Sequence, residues 1–505
     1  MATPPTEQGS QTNKLAENTI DLSQLEERLL FSDREEKHRL KLKDPRRRLI
    51  HQGYLQCNYK KKHRVFLLDH ALIITEPEVV EGWERLWVVY RPIPVALLRV
   101  LLNQTRPKIF GYIPLPVGET RYQLCFSSPG KRFNNRKSLT LVSLSSKNAN
   151  TWIETVHAQQ ATNQQNPDSN VLKLGEDILK GNGETKISCA ALYNNAQTIV
   201  YGTVNGVYVQ PQDGQSRKVI NLRNLQQVDV LEESSLLIVL AERSVFTFPL
   251  DLLETGDPFK HMKRIAKEIS FFKVGSCMDR TMVCMVKSNP TLSTVKILEP
   301  VESLGNSNPN QSGQTSWADE DQFRIFREFY LSQELHSAQF LKTKLCVAAS
   351  SGFEIVDLEN LDTHALLDPK DPNLKFVHSI TLRALGIYRI GGEFLLCYKE
   401  FAFYASHTGN KSDKDMIIRW EGTPTACALH YPYIVAFSPE FVEIRHVDDG
   451  SLVQVIIEND VRCLYAKSSP AEDLAYHISR RRDNNLLVYF ANKVMFLNST
   501  STQIY

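Results

Sequence analysis

The chain has 505 residues, 42% of them hydrophobic and 23% charged, and a formal net charge of +2. That balance excludes wholesale disorder, allows two or more separate cores, and removes any global argument for a nucleic-acid partner. No apolar run reaches the roughly 18 residues a membrane-spanning helix needs, and the polar start "MATPPTEQGSQTNK" does not read as a signal peptide.

Charge is unevenly placed. From Arg34 to Arg64, twelve Lys/Arg face three acids, a net of +9 that leaves −7 for the remainder. A basic patch on a mildly acidic body points to an anionic surface, membrane or protein. The nine cysteines are scattered, mostly in apolar runs such as "TMVCMV" (Cys284), "KLCVAA" (Cys346) and "FLLCY" (Cys397). None has zinc-type spacing, so they read as buried reduced thiols of a cytosolic protein.

Residues 1–20 read as a disordered tail. In "DLSQLEERLLF", Leu22, Leu25 and Leu29 share one helical face. The spacing predicts a helical segment over 21–44, ending before Pro45, with an apolar stripe that has nothing local to pack on. Strands follow. Val65–Leu68 and Ala71–Ile74 flank Asp69-His70 as in a hairpin, and "RLWVVY", "VALLRVLL", "RYQLCFS" and "SLTLVSLS" supply more. A helix then places Ala149, Trp152, Ile153 and Val156 on one face, with Ser145 or Ser146 as its cap. Together, 45–160 predicts a small barrel plugged at one end, Trp152 being the largest apolar contact of the plug. "ATNQQNPDSN", 161–170, is a polar linker.

From 171 to 505 one unit recurs about seven times at roughly 40-residue spacing: a strand, a short turn, a strongly apolar strand, a tight turn and another strand. "ISCAALYNNAQTIVYGTVNGVYV" opens the series and "VRCLYA…NNLLVYFANKVMFL" closes it. One such sheet cannot bury both faces alone. Sheets stacked around an axis can, which predicts a seven-bladed β-propeller. Gly202, Gly206, Gly352 and Gly391 suit turns that need positive φ. "PFKHMKRIAKEIS" predicts a helix, 301–322 a mobile low-complexity insertion, and "VLKLGEDILK" a segment able to pair with the last blade. The fold class is therefore mainly β.

"ISCAALYN…IVYGTVNGVYV", "FFKVG", "MVCMVK…VKILEP" and "RCLYA" resemble the citron-homology (CNH) domain. "GYLQC…VFLLDHALIIT" with the late Trp152 resembles a pleckstrin-homology (PH) domain. That order, behind a basic helical segment, resembles the C-terminal region of fungal Rho-type guanine-nucleotide exchange factors of the cell-wall integrity pathway. The resemblance implies a regulatory, protein-interaction and membrane-targeting region, with exchange performed by a helical Dbl-homology (DH) domain that this chain lacks. It implies as partners a Rho-family GTPase or other signalling proteins on the propeller, the upstream DH domain, and an anionic membrane on the PH domain. The implied place is the cytoplasm, with recruitment to the plasma membrane. A CNH-propeller adaptor in membrane tethering is the alternative.

In phosphoinositide-binding PH domains, basic residues of the first two strands grip inositol phosphates, because phosphate needs charge-assisted donors. Lys60, Lys61, Lys62 and Arg64 occupy that region, although Gln56 stands where a binder often has Lys. The plainer reading is a solvated basic turn with non-specific attraction to anionic lipid, worth ~1 kcal/mol per charge. "DPRRRL" adds to the same field. Trp317, inside the insertion, and Arg480, Arg481 and Arg482, in a loop of the last unit, are candidate protein contacts. His336, His378, His430 and His446 stand at unrelated spacings and read as ordinary core or edge residues. No GxxxxGK[ST], GxSxG or HExxH occurs, so no catalytic residue, metal or cofactor is expected.

Overall fold

The computed structural model of the chain describes residues 19–499, apart from 33, 58–60, 104–121, 131–137, 168–169, 176, 181–185, 212–213, 252, 254–256, 302–321, 350, 379–381, 415, 467–485 and 491–492. The chain divides into two compact units, 1–169 and 170–505.

In the first unit, helix α1 (Leu22–Arg28) opens on a capping box. Asp21 accepts from the Gln24 amide at 2.8 Å, and the Gln24 side chain accepts from the Asp21 amide at 3.3 Å. The helix stops early because the next two residues, β1 (Leu29–Leu30), pair in parallel with β5 (Trp83–Val88). A second short helix, α2 (Arg34–Arg39), follows. The barrel is built from β2 (Leu49–Cys57), β3 (Lys61–Leu68), β4 (Ala71–Val80), β5, β6 (Ile93–Pro94), β7 (Arg99–Asn103), β8 (Tyr122–Ser127) and β9 (Ser138–Ser143). The sheet order is β1-β5-β4-β3-β2-β9-β8-β7, with β6 on β4.

Helix α3 (Ser146–Gln165) caps the barrel. Ser145 Oγ accepts from the Asn148 amide, and Ala149, Trp152 and Val156 are buried against the inward residues of both sheet halves. Trp152 is fully buried over Gly53, where a Cβ would lie 3.6 Å from the indole. The result is the PH-like fold the pattern predicts.

Two expectations need correction here. The predicted helical segment 21–44 is two short helices and a strand, and its apolar stripe does have a local partner. Leu25, Leu29, Leu40 and Leu42 close over Phe66, Leu68, Ile73 and Leu86 on the outer face of β3–β5. The predicted linker begins inside α3. Gln160 Nε2 donates to the carbonyls of Val95 and Leu98 at 2.8 and 2.7 Å, and Asn163 Nδ2 to that of Asp69 at 2.8 Å. Polar helix side chains docked on barrel carbonyls carry no apolar periodicity, so the pattern hides them.

The second unit contains seven antiparallel sheets. Their first strands are Ile187–Tyr193, Leu225–Leu231, Phe271–Cys277, Leu335–Phe340, Ala384–Ile390, Ala426–His430 and Arg462–Ala466, taken as blades I to VII. Each lies beside the first strand of the next blade, and that of blade VII lies beside that of blade I, which closes a ring. Six blades have four strands in simple up-and-down order. The seventh is completed by β10 (Leu172–Leu174) and β11 (Leu179–Lys180), both antiparallel to Lys493–Ser499. "VLKLGEDILK" thus supplies the outer edge of the last blade.

The second strands of blades I and II, Thr198–Thr203 and Leu236–Ala241, are buried along their whole length, and that of blade III, Arg280–Ser288, is buried at its centre, because neighbouring blades cover both faces. Two further corrections belong here. "PFKHMKRIAKEIS" is a 3-10 turn, Pro258–His261, followed by the outer strand Lys263–Ala266 of blade II. Gly206, Gly352 and Gly391 have positive φ as expected, but Gly202 does not. Gly202 lies inside a strand where a Cβ would meet Cys189 Sγ at 2.6 Å and Leu225 Cβ at 3.0 Å, so it allows blades I and II to approach closely.

Candidate functional site

The basic stretch lies on the hairpin β2–β3. Lys61 and Lys62, the first two residues of β3, are exposed; Lys60 lies outside the described residues. Lys61 Nζ pairs with Glu76 at 2.5 Å, so part of its charge is already answered. The two lysines, Glu76, Pro77, Glu78 and Trp87 line an open cleft of about 570 Å³, and Trp87 Nε1 donates to Glu78 at 2.8 Å. The cleft is shallow and mixed in charge. Its donors attract phosphate but do not enclose it.

Arg64 does not belong to this cleft. It is 3% exposed. Its guanidinium pairs with Glu84 and donates to Gln52 Oε1 at 3.1 Å. Glu84 also accepts from Tyr54 at 3.1 Å and Arg28 at 3.4 Å, while Gln52 Nε2 donates to the Ile20 carbonyl at 2.8 Å. Arg64 therefore fastens the segment bearing α1 to the sheet, and the expectation that it contacts lipid is withdrawn. Burial lowers the pKa of the intervening His63, opposed by Glu76 and the Thr75 carbonyl, so the imidazole adds no charge near neutrality.

In "DPRRRL" the Arg47 side chain is taken up by the fold, while Arg46 and Arg48 are exposed. Arg46 pairs with Asp44 at 2.9 Å and Arg47 with Asp69 at 2.8 Å, and the Arg48 amide donates to Asp69 at 3.0 Å. Trp317, Arg480, Arg481 and Arg482 lie outside the described residues.

Pattern reasoning overlooked the β4–β5 hairpin tip. Val79 and Trp83 are each 73% exposed there, and Trp87 is 44% exposed. The available signal was "VVEGW": two valines and a tryptophan around a Glu-Gly turn, with no alternation pointing to a core.

In the second unit, polar side chains stitch blades together. Gln227 of blade II exchanges hydrogen bonds with the Phe272 backbone of blade III, at 2.8 and 3.2 Å. Gln339 accepts from the Ile387 amide at 3.0 Å, and Tyr388 OH donates to the Cys427 carbonyl at 2.7 Å. In blade VI, Arg445 is buried between Glu443 at 2.5 Å and Glu421 at 3.0 Å, and it also donates to the Gly450 carbonyl. Asp229 on the first strand of blade II is lifted above the usual carboxylate range by burial, against the pull of Lys273 on blade III. Burial pushes the thiols of Cys189 and Cys277 up to about 11, and that of Cys284 further, which suits packing and not nucleophilic attack. His430 is buried in blade VI, and His446 packs edge-on against Tyr433 at 5.8 Å.

Residues 195–467 match the family model described as the CNH domain. The chain belongs to the CNH-domain family. The solved structure titled "AfRom2 CNH domain" superposes with a TM-score of 0.54 at 29% identity, covering 66% of this chain and all of that one. The Rho1 guanine nucleotide exchange factor 1 of Schizosaccharomyces pombe is 32% identical over 501 residues, 93% of this chain and 37% of that protein. The RHO1 GDP-GTP exchange protein 2 of Saccharomyces cerevisiae is 27% identical over 90% of this chain and 36% of its own length. The chain thus spans a little over a third of these two relatives. The CNH match falls within the seven-bladed unit, while the likeness to the exchange factors reaches across the PH-like unit as well.

Proposed function

We propose that this chain is a regulatory, protein-interaction and membrane-targeting region of a Rho guanine-nucleotide exchange factor, acting in Rho signalling to the cell wall. One observation carries this reading: similarity to a fungal Rho1 exchange factor over 93% of the chain, a span that takes in both the barrel and the propeller. The exchange reaction belongs to a helical DH domain of the same protein. The CNH ring offers a stiff, multi-loop face to a protein partner, the Rho-family GTPase or a protein that acts on it. The PH-like barrel brings the cytoplasmic protein to the plasma membrane through Lys60, Lys61 and Lys62.

The propeller arm of the proposal is tested by pull-down of the 505-residue chain with Rho-family GTPases in both nucleotide states, and with the parent's own DH region. Capture by any one of the three supports it, and failure of all three removes it. The membrane arm is tested by sedimentation with phosphatidylserine-containing vesicles. Reversing Lys61 and Lys62 to Glu should weaken binding by about 2 kcal/mol per lysine at low salt, about 1 for each unit of charge changed, and less for Lys61 because Glu76 already faces it. Binding unaffected by the reversal would exclude the patch.

A further inference from the structure

The β4–β5 hairpin ends in a two-residue turn, Glu81-Gly82, with φ of +52° and +82° at the two positions. Val80 pairs with Trp83 and Val79 with Glu84 across it. Side chains alternate along a strand, so Trp83 stands on one face of this ribbon and Val79 on the other. Each is 73% exposed. A protein surface laid against the ribbon would cover one face only. A fluid medium that surrounds the tip covers both.

We propose that this tip is a membrane anchor, seating Trp83 and Val79 at the boundary between headgroups and acyl chains. Tryptophan favours that depth because its ring is apolar and its N–H remains hydrogen-bonded. Glu81 at the turn and Glu78 beneath it, holding Trp87 Nε1 at 2.8 Å, keep the tip at headgroup level and out of the hydrocarbon. Lys61 and Lys62 line the cleft at the base of the same ribbon, so the anchor and the charge act on one lipid surface. The anchor supplies binding that does not depend on lipid charge; the lysines supply binding that does. This inference rests on the membrane-targeting reading above.

The experiment uses the 505-residue chain with vesicles of phosphatidylcholine alone and of phosphatidylcholine mixed with phosphatidylserine. Phosphatidylcholine brominated near the top of the acyl chain should quench part of the tryptophan fluorescence. Trp83→Ala should remove that part and weaken partition on the order of tenfold on both lipids. Trp83→Phe should restore most of the binding. The lysine reversals should lose only the increment due to phosphatidylserine. Salt-sensitive binding to anionic vesicles with no quenching, and no effect of Trp83→Ala, would overturn the anchor and leave the targeting reading standing. No binding to either vesicle would end both. A dimer in sedimentation velocity that Trp83→Ala dissociates would assign the tip to a second copy of the chain and overturn the anchor.

Discussion

Arg64 stands one strand step from His63 and two from Lys62, yet its environment is opposite to that of the lysines. Along β3 successive side chains alternate, and the covering segment bearing α1 turns the outer face of that strand into an interior. Removing the guanidinium leaves Glu84 with fewer partners in a partly buried site. Arg64→Leu should therefore cost about 3 kcal/mol in denaturant unfolding of the PH-like unit, while the salt dependence of vesicle binding stays that of the parent.

Asp69 offers a pH-dependent test. Burial alone would raise its pKa, but hydrogen bonds from His70, the Arg48 amide and Arg47 outweigh that and hold it at about 2. A carboxyl depressed in the folded state stabilises above its unfolded pKa of about 4 and loses that contribution as pH falls through the folded value. Stability of the first unit should drop between about pH 4 and 2, and Asp69→Asn should flatten the drop in an acid titration followed by circular dichroism. Gly202→Ala should destabilise the second unit by about 1–3 kcal/mol, because its Cβ would overlap Cys189 Sγ. Sequence alone marks Gly202 as a glycine near a turn. Only the packing of two blades shows that it is needed for closeness.

At the scale of elements, α1 and the strand that follows are part of the barrel. Leu25→Ala should cost about 3 kcal/mol in the unfolding of the first unit, since Leu25 is fully buried on the β3–β5 face. A helix belonging only to a domain upstream would show no such effect. The elements readable from sequence are those with a strong period. The second strand of each blade centres on an apolar run, such as "MVCMV" in Arg280–Ser288, and α3 shows its buried face at i, i+3 and i+7. The outer strands escape such reading. Thr363–Ala365 is exposed at all three residues, and Ile417–Arg419 buries one in three, so neither differs from a loop in pattern. The same limit explains the site. The lysines announce themselves by charge. The hairpin tip does not, because exposure of Trp83 and Val79 follows from how far the ribbon extends past the barrel, and spacing does not encode that.

At the scale of the molecule, repeated sheets become a closed ring through one seam. Leu172 is fully buried and faces Ser499 in register. Leu172→Asp places a charge in that seam and should lower protection from amide hydrogen exchange in all seven blades together, not only in the last. Loss confined to blade VII would show that the ring tolerates opening. The inter-blade bonds of Gln227, Gln339 and Tyr388 favour the shared response, since each ties one blade's backbone to the next.

The seam also sets a timetable for synthesis. Leu172 to Leu174 leave the ribosome early; Gln454 of blade VI can hold the Leu172 backbone first, at 2.9 and 2.8 Å, but the strand partner Leu497 to Ser499 is translated last. For nearly the whole of that interval the nascent blades stack with one flank uncovered, and their second strands, apolar on both sides, are what a holding chaperone would recognise. A transcript ending prematurely anywhere in blade VII would therefore yield an open stack destined for proteolysis, and not a shorter working ring.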